Sequence, residues 1–345
     1  RISQRARFKG LKTAAVAKME EVAEGLGLTS EQLADRLVPD FGLDADGSLR
    51  LDYGSRRFVV GFDEQLRPFV ADDTGKRLKT LPKPGARDDT DLATAAYQRF
   101  TALKKDVRTV AVDQVRRLEQ AMVAGRRWTG AEFRTLFAEH PLLWHIVRRL
   151  VWARFDAAGR VTGALRMAED RTLATVDDEP AVLGDDEIIG IAHPLHLGTA
   201  EAAGWAEVFA DYEILQPFPQ LGRPTFGLTP EEAAGAHLNR FESVTVPTTK
   251  LIGLERRGWK RESPQDAGMQ SVIEKTLAPN RVMVVHLDPG IAVGELDYFP
   301  DQKLTAVFLH DGTGGWWSKE VELPLHTLDA VATSEIIRDL TEVTT

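Results

Sequence analysis

The chain has 345 residues, of which 43% are hydrophobic and 28% are charged, and it contains no cysteine. This composition is typical of a globular protein, and it excludes disulfides, thiolate metal sites, iron–sulfur clusters and cysteine nucleophiles. No segment approaches the ~20 consecutive apolar residues that a membrane-spanning helix needs, so we expect no membrane partner and a cytoplasmic location.

The net charge of −9 is unevenly distributed along the chain. Residues 1–150 carry +6 and residues 151–345 carry −15, and within the first part residues 101–150 carry +5. A basic segment of this kind is typical of a surface that binds a polyanion. The alternative is that the basic first part and the acidic second part of the chain simply have solvated surfaces of opposite charge.

The chain begins at Arg1, without an initiator Met, inside a helical pattern of apolar residues. We therefore expect it to be part of a longer protein. Helix starts are indicated wherever a Thr precedes a Glu or Gln by three residues, because the two side chains then cap each other's backbone N–H groups. This motif occurs at Thr29–Gln32, Thr129–Glu132 and Thr229–Glu232.

Between the first two of these starts, alternating apolar residues and turns predict a β-meander, which ends at a Pro/Gly linker near residue 85. One long amphipathic helix is predicted from Asp91 to Ala124, and two shorter helices follow it. Further strands are predicted at EIIGIA, NRVMVVHLD, KLTAVFL and KEVELPL, with helices at 199–211, 229–240, 248–257 and 328–341.

These elements predict an α+β fold, because strands and helices do not alternate strictly. We expect N-terminal helices with a small antiparallel β-meander in residues 1–85. A helical segment with the long helix follows in residues 86–150, and a mixed α+β C-terminal domain in residues 151–345.

The segment IAHPLHLG places His193 and His196 three residues apart after an apolar run. Together with His286 and Asp288, which also end a predicted strand, they are the candidates for a catalytic or metal site. Pro194 excludes the helical His-Glu-x-x-His arrangement. The alternative is that both segments are ordinary strand ends, where His, Asp and Pro are common. We therefore predict no metal and no cofactor.

Cations concentrate along the predicted long helix and just after it, and such a surface would bind nucleic acid with strong salt dependence. The alternative is a solvated outer helix face, because acidic residues such as Asp113 and Glu119 interrupt the run. The candidate polyanion-binding residues are Lys104, Lys105, Arg108, Arg116, Arg117, Arg126 and Arg127.

The loop of residues 211–229 contains three prolines and two phenylalanines. Stiff loops with aromatic side chains lose little conformational entropy on binding, which favours a partner surface at Phe218, Arg223 and Phe226. The alternative is that both rings fill the core of their own domain.

The chain resembles a bacterial family of domains of unknown function, which occurs at the C-terminus of proteins called molybdate metabolism regulator-like. Those proteins often carry an upstream WGR domain. The resemblance implies the C-terminal part of a larger bacterial protein, and it carries over no catalytic residue. The segments that carry it include ADRLVPDFGLDADG, YGSRRFVVGFDEQLRPFV, RRLEQAMVAGRRWT, HPLLWHIVRRLVW, IAHPLHLG, FADYEILQPFPQLGR and GLERRGWKR.

No segment combines a nucleophile, a base and an orienting group, so we expect a non-catalytic interaction or regulatory module. The expected partner is another protein or the upstream domains of the same chain, and nucleic acid is the alternative. A metal-dependent enzyme that uses the four His and Asp candidates remains a third possibility.

Overall fold

The structure is a computed structural model that describes residues 8–265, 268–312 and 321–345. Its contacts divide the chain into two compact units. Among the described residues, unit 1 contains those up to Arg117, residues 128–189 and residues 214–217, and unit 2 contains residues 118–127, 190–213 and those from 218 onward. The boundaries predicted near residues 85 and 150 do not coincide with this division, because the chain passes from one unit to the other several times.

Unit 1 begins with two helices and a four-stranded antiparallel sheet in the order β1-β2-β3-β4. Its buried face carries Leu49, Phe58, Val60 and Val70, and along β1 and β2 the buried residues alternate with more exposed ones, as a half-buried sheet requires. The predicted meander is confirmed. The elements are α1 (Lys9–Gly25), α2 (Ser30–Arg36), β1 (Leu49–Asp52), β2 (Arg57–Phe62), β3 (Pro68–Asp72) and β4 (Arg77–Leu78).

The long helix α3 spans Thr90–Val123, within one residue of its predicted bounds at both ends. Asp89 starts it, since its carboxylate accepts hydrogen bonds from the N–H groups of Asp91 and Leu92. The apolar stripe is buried, with Phe100, Leu103 and Val107 each at most 5% exposed. From Leu118 onward the helix belongs to unit 2.

A six-stranded sheet in the order β5-β10-β6-β7-β8-β9 follows α3. The rings of Trp128, Phe133, Phe137 and Trp152 pack next to it, with centroids 4.8–6.2 Å apart. The elements are β5 (Arg127–Thr129), α4 (Gly130–Phe133), α5 (Trp144–Val147), β6 (Trp152–Phe155), β7 (Val161–Met167), β8 (Leu173–Ala174), β9 (Pro180–Ala181) and β10 (Ile188–Ile191).

Unit 2 is built on a five-stranded sheet in the order β11-β15-β14-β13-β12. Its apolar core includes Trp259, Val285, Leu304 and Ile336, and the C-terminal helix α9 packs into that core. The elements are α6 (Thr199–Asp211), α7 (Pro230–Ala234), β11 (Thr245–Pro247), α8 (Thr248–Gly253), β12 (Lys260–Arg261), β13 (Met269–Ala278), β14 (Arg281–Ala292), β15 (Asp301–His310) and α9 (Ala330–Thr344).

The α+β class is confirmed, but two predicted elements differ from the structure. The helix predicted at 229–240 ends at Ala234, because Gly235 adopts an extended conformation and its N–H bonds back to Glu232 O. The strand predicted at KEVELPL begins outside the described residues, and its Glu322 forms only a single bridge with His310. Within the described ranges, no helix has both the length and the apolar character needed to cross a membrane.

Candidate functional site

The two histidines of IAHPLHLG lie at a short 3-10 turn after β10, and both of their side chains cap its backbone. Leu195 N donates to His193 Nδ1 (3.2 Å), and His193 N donates to His196 Nδ1 (3.1 Å). Because His193 Nδ1 accepts a hydrogen bond, its proton sits on Nε2, which donates to Glu335 Oε1 at 3.2 Å. His193 is fully buried, and both of its ring nitrogens are used inside the protein.

His196 is neutral at neutral pH. Burial lowers the pKa of its imidazole to about 4, and the neighbouring His193 and Arg127 act in the same direction. Among the described residues, no three His, Asp or Glu side chains are placed to hold a metal ion. The structure therefore does not bring His193, His196, His286 and Asp288 together as a ligand set. On β14, His286 pairs with Ala306 and Asp288 with Lys303.

The side chains proposed for a partner surface in the loop 211–229 are largely internal. Phe218 is 5% exposed and Arg223 is 4% exposed, and Phe226 packs against the core of unit 2. The backbone N–H of Phe226 also donates to Ser334 Oγ on α9 at 2.9 Å. The expectation of an exposed surface at these three residues is corrected, because each one contributes to the interior of unit 2.

Arg223 is part of a buried ion-pair network that sequence patterns did not indicate. Its guanidinium bonds Glu335 of α9 in a bidentate manner, with both N–O distances at 2.7 Å, and it also donates to Glu119 at 2.8 Å. Arg338 approaches the same carboxylate of Glu335 at 3.1 Å. The partners are 112 positions apart in the chain, so no local pattern links Arg223 to Glu335.

One turn further along α9, Asp339 forms a second buried centre. Its carboxylate accepts hydrogen bonds from Arg257 (2.8 Å), Trp259 Nε1 (2.9 Å) and Lys275 Nζ (3.0 Å). Arg257 also pairs with Glu342. The helix thus carries two carboxylates into the interior, and each of them is surrounded by cationic or neutral donors.

This network stabilises the fold and is poorly suited to acid–base chemistry. Burial alone would raise the pKa of Glu335, but hydrogen bonds from Arg223 and His193 outweigh it and lower that pKa to about 2. A carboxylate with so low a pKa is a weak base near neutral pH, since catalytic bases titrate close to the working pH. Its neighbours also occupy the oxygens that would have to receive a proton.

Among the seven cations proposed along and after α3, Arg116 and Arg117 are engaged in ion pairs. Arg117 is paired with Asp35 (2.6 Å) and Glu31 (3.0 Å), and Arg116 with Asp113 (2.7 Å). Arg126 and Arg127 follow the helix, and Arg127 opens β5. The other three cations are exposed and have no ion pair with a described residue: Lys104, Lys105 and Arg108.

Lys104 lines an open groove of about 480 Å³ in unit 1. Four cations surround this groove, and no Asp or Glu lies among its lining residues, all of which are described. Its lining includes three buried apolar residues, Phe100, Leu81 and Val70, which we call the floor of the groove. The groove is formed by residues of β3, β4, the following segment and α3, namely Pro68, Phe69, Val70, Arg77, Leu78, Lys79, Thr80, Leu81, Pro82, Lys83, Tyr97, Phe100, Thr101 and Lys104.

On the wall that carries Arg77, three residues from neighbouring strands are stacked: Gly61, Phe69 and Arg77. Gly61 of β2 lies opposite Phe69 of β3, and a Cβ at Gly61 would lie 2.6 Å from the Phe69 ring. The guanidinium of Arg77 lies over the same ring, 4.0 Å from its centroid. A cation over an aromatic face is favoured electrostatically, so Phe69 holds Arg77 in a defined position at the groove.

The segment after β4 is held by side chains from the turn between β1 and β2. Tyr53 Oη donates to Pro82 O (2.9 Å), and Arg56 donates to Lys83 O (3.2 Å). Arg56 also forms a bidentate ion pair with Asp88 and thereby holds the pKa of that carboxyl well below its usual range. The cations of this wall are therefore carried on an anchored backbone.

The sequence from residue 75 to residue 259, more than half of the chain, matches the family model described as "Domain of unknown function (DUF4132)". The chain belongs to the DUF4132 family. It is also similar to the uncharacterized protein YehI of Escherichia coli K12, with 38% identity over 291 residues. That similarity covers 84% of the chain and 24% of YehI, so the chain spans about a quarter of the length of this relative. No solved structure matches the chain.

The DUF4132 match includes part of each site described above. It contains Arg77 and Lys104 of the groove, and Arg223 of the buried network. Phe69, which supports Arg77, and Glu335, which receives Arg223, lie outside the matched residues. The family model therefore does not by itself define either constellation.

Proposed function

We propose that this DUF4132 chain is a non-catalytic interaction module that binds an anionic ligand in the groove beside β4 and α3. The observation that carries the proposal is the grouping of Arg77, Lys79, Lys83 and Lys104 around one cavity that has no carboxylate in its lining. Like charges placed this close together raise the local potential and attract an anion, and a ligand that neutralises them relieves their repulsion.

The non-catalytic part of the proposal is supported by the polar groups of unit 2. Three of the groups that could serve in acid–base chemistry, His193, His196 and Glu335, are engaged in caps and ion pairs within the fold. In this proposal the interaction surface is the groove, instead of the loop 211–229 that was expected from the sequence. Of the seven cations suggested by the sequence, the proposal keeps Lys104 as a direct contact and assigns Lys105 and Arg108 to the surface around it.

The wider biological setting is part of the same proposal. The resemblance to molybdate metabolism regulator-like proteins supports a role within a larger bacterial protein, with upstream domains such as WGR as its partners. The much greater length of YehI is consistent with that arrangement. A cytoplasmic location is in keeping with a sequence that lacks cysteine.

The test is isothermal titration calorimetry of the chain with inorganic tripolyphosphate at low and moderate salt. We expect binding that weakens as salt is added, because the four cations act mainly through screened charge. The double variant Arg77→Ala/Lys104→Ala should lower the affinity at least tenfold.

The matched control is Lys76→Ala/Lys105→Ala, which removes two neighbouring exposed cations that do not line the groove. It should retain affinity within about twofold, because only screened, longer-range charge is lost. Absence of binding at low salt would refute the proposal. Equal losses in the two double variants would show that general surface charge, and not the groove, binds the anion.

A further inference from the structure

The groove combines a cationic rim with an apolar, aromatic floor, and this combination restricts the ligand further than charge alone does. Inorganic phosphate would use only the cations and leave the floor exposed to water. The volume of the groove, about 480 Å³, falls within the range of sites that enclose an organic small molecule or part of one. A ligand that fills it must carry negative charge at one end and a flat or apolar group at the other.

The rim suits a phosphate better than a single carboxylate. Arg77 is already held over Phe69, 4.0 Å from the ring centroid, so its planar fork needs little further ordering to bind two phosphate oxygens. Lys79 and Lys83 add two point charges on the anchored segment after β4. Three cations on one wall match the several charges of a phosphoryl group or a short phosphate chain.

The helix side of the groove supplies the aromatic surface. Tyr97 of α3 is half-buried and lines the cavity, so part of its ring is available to a ligand. Phe100 is 5% exposed and forms the floor one turn further along, with Lys104 Nζ 5.1 Å from its ring centroid. A planar heterocycle stacked on Tyr97 would cover the floor while its phosphates reach the opposite wall.

We propose that the ligand of this groove is a nucleotide unit, with its base on Tyr97 and its phosphates on Arg77, Lys79 and Lys83. This inference rests on the anion-binding function proposed above. The nucleotide unit can come from a free nucleotide or from one residue of a single strand, because the phosphate and the base are the same in both. Stacking of bases on aromatic side chains beside a basic groove is a general mode of sequence-tolerant recognition.

The test compares ATP with inorganic tripolyphosphate, which has the same phosphate chain without the nucleoside, by calorimetry on the whole chain. We expect ATP to bind on the order of tenfold more tightly, which is within the effect of one base–aromatic stack. Tyr97→Leu keeps an apolar side chain but removes the ring, so it should reduce ATP affinity to that of tripolyphosphate and leave tripolyphosphate binding unchanged. Arg77→Ala should weaken both ligands.

The control is Tyr298→Leu, which removes a 65% exposed tyrosine outside the groove and should leave both affinities unchanged. Thermal unfolding of each variant shows whether it is folded at the titration temperature. A fluorescein-labelled oligothymidine distinguishes the two sources: Tyr97-dependent binding of the strand alone assigns a nucleic-acid strand, and Tyr97-dependent binding of ATP assigns a free nucleotide.

Equal affinities for ATP and tripolyphosphate, with no Tyr97-dependent binding of the strand, would overturn the nucleotide inference and leave the anion-binding function standing. Failure of all three ligands to bind at low salt would overturn both proposals. The two failures are therefore distinguishable.

Discussion

Buried charges in unit 2 are concentrated on helix α9. Glu335 and Asp339 are each 1% exposed, and they are four positions apart, so they lie on the same side of the helix. A buried carboxylate is tolerated only when donors compensate for its lost hydration, and here arginine, lysine, histidine and tryptophan do so. Removing one of these carboxylates leaves its buried cationic partners with less charge compensation.

Replacement of Glu335 by Gln should lower the free energy of unfolding by about 3–5 kcal/mol at neutral pH, because the buried Arg223 then loses its bidentate counter-charge and keeps only the partly exposed Glu119. The folded-state pKa of Glu335, about 2, lies below its ordinary value of 4.5. This charge therefore stabilises the protein fully above pH 4.5, and its contribution is lost as the pH falls toward 2. Urea unfolding from pH 7 downward should show the wild type and the variant converging over that interval.

The matched control is Glu21→Gln on α1, where the carboxylate is 68% exposed and pairs with Lys18. An exposed pair of this kind contributes less than about 1 kcal/mol, so its loss should hardly change the unfolding midpoint. If Glu335→Gln were as stable as the wild type at pH 7, the network would not have the structural role assigned to it.

At the scale of elements, local capping decides where several helices begin. The boxes predicted at Thr29, Thr129 and Thr229 are all present, with each Thr accepting from the backbone N–H three residues later. Helix α4 begins at Gly130, immediately after the Thr of the second box. There the backbone N–H donates to Glu187 O at 2.8 Å, so this helix start packs closely against the loop before β10.

Gly130→Ala should destabilise the protein by about 1–3 kcal/mol, the usual cost of overpacking. A Cβ at this position would lie 2.0 Å from Gly184 O, and backbone atoms cannot move aside as a flexible side chain does. The comparison is Gly163→Ala in β7, where nothing lies within 4 Å of the new methyl group. Urea denaturation of the two variants should show a clear loss for the first and none for the second, and similar midpoints would refute the packing argument.

At the scale of the whole molecule, the two units do not correspond to consecutive halves of the chain. Residues 118–127, the end of α3 and the turn after it, belong to unit 2 and contribute Glu119, which binds Arg223, and Gln120, which donates to Arg256 O at 3.1 Å. Conversely, residues 151–189 belong to unit 1. A cut at residue 150 would therefore divide both units, because each of them contains residues from both sides of the cut.

We expect the fragment of residues 151–345 to lack a cooperative thermal transition when it is produced alone, whereas the complete chain shows one. The fragment loses Glu119 opposite Arg223 and also the α3 and β5 segments that complete the two units. Circular dichroism and the dispersion of amide proton resonances measure this directly. A well-dispersed spectrum with a sharp transition would instead support the domain boundary predicted from the sequence.

Local sequence patterns suffice to predict the features that depend on neighbours a few residues apart: the capping boxes, the β-meander, the long helix and the α+β class. Each follows from hydrogen bonds or apolar periodicity within one element. Which cations can bind a ligand depends on the fold. Arg117 and Arg223 pair with carboxylates about 80 to 110 positions away in the chain, whereas Arg77 and Lys104 line the same groove. The free energy of a charged side chain depends on its burial and on partners that are distant in sequence, and the spacing of residues along the chain indicates neither of these.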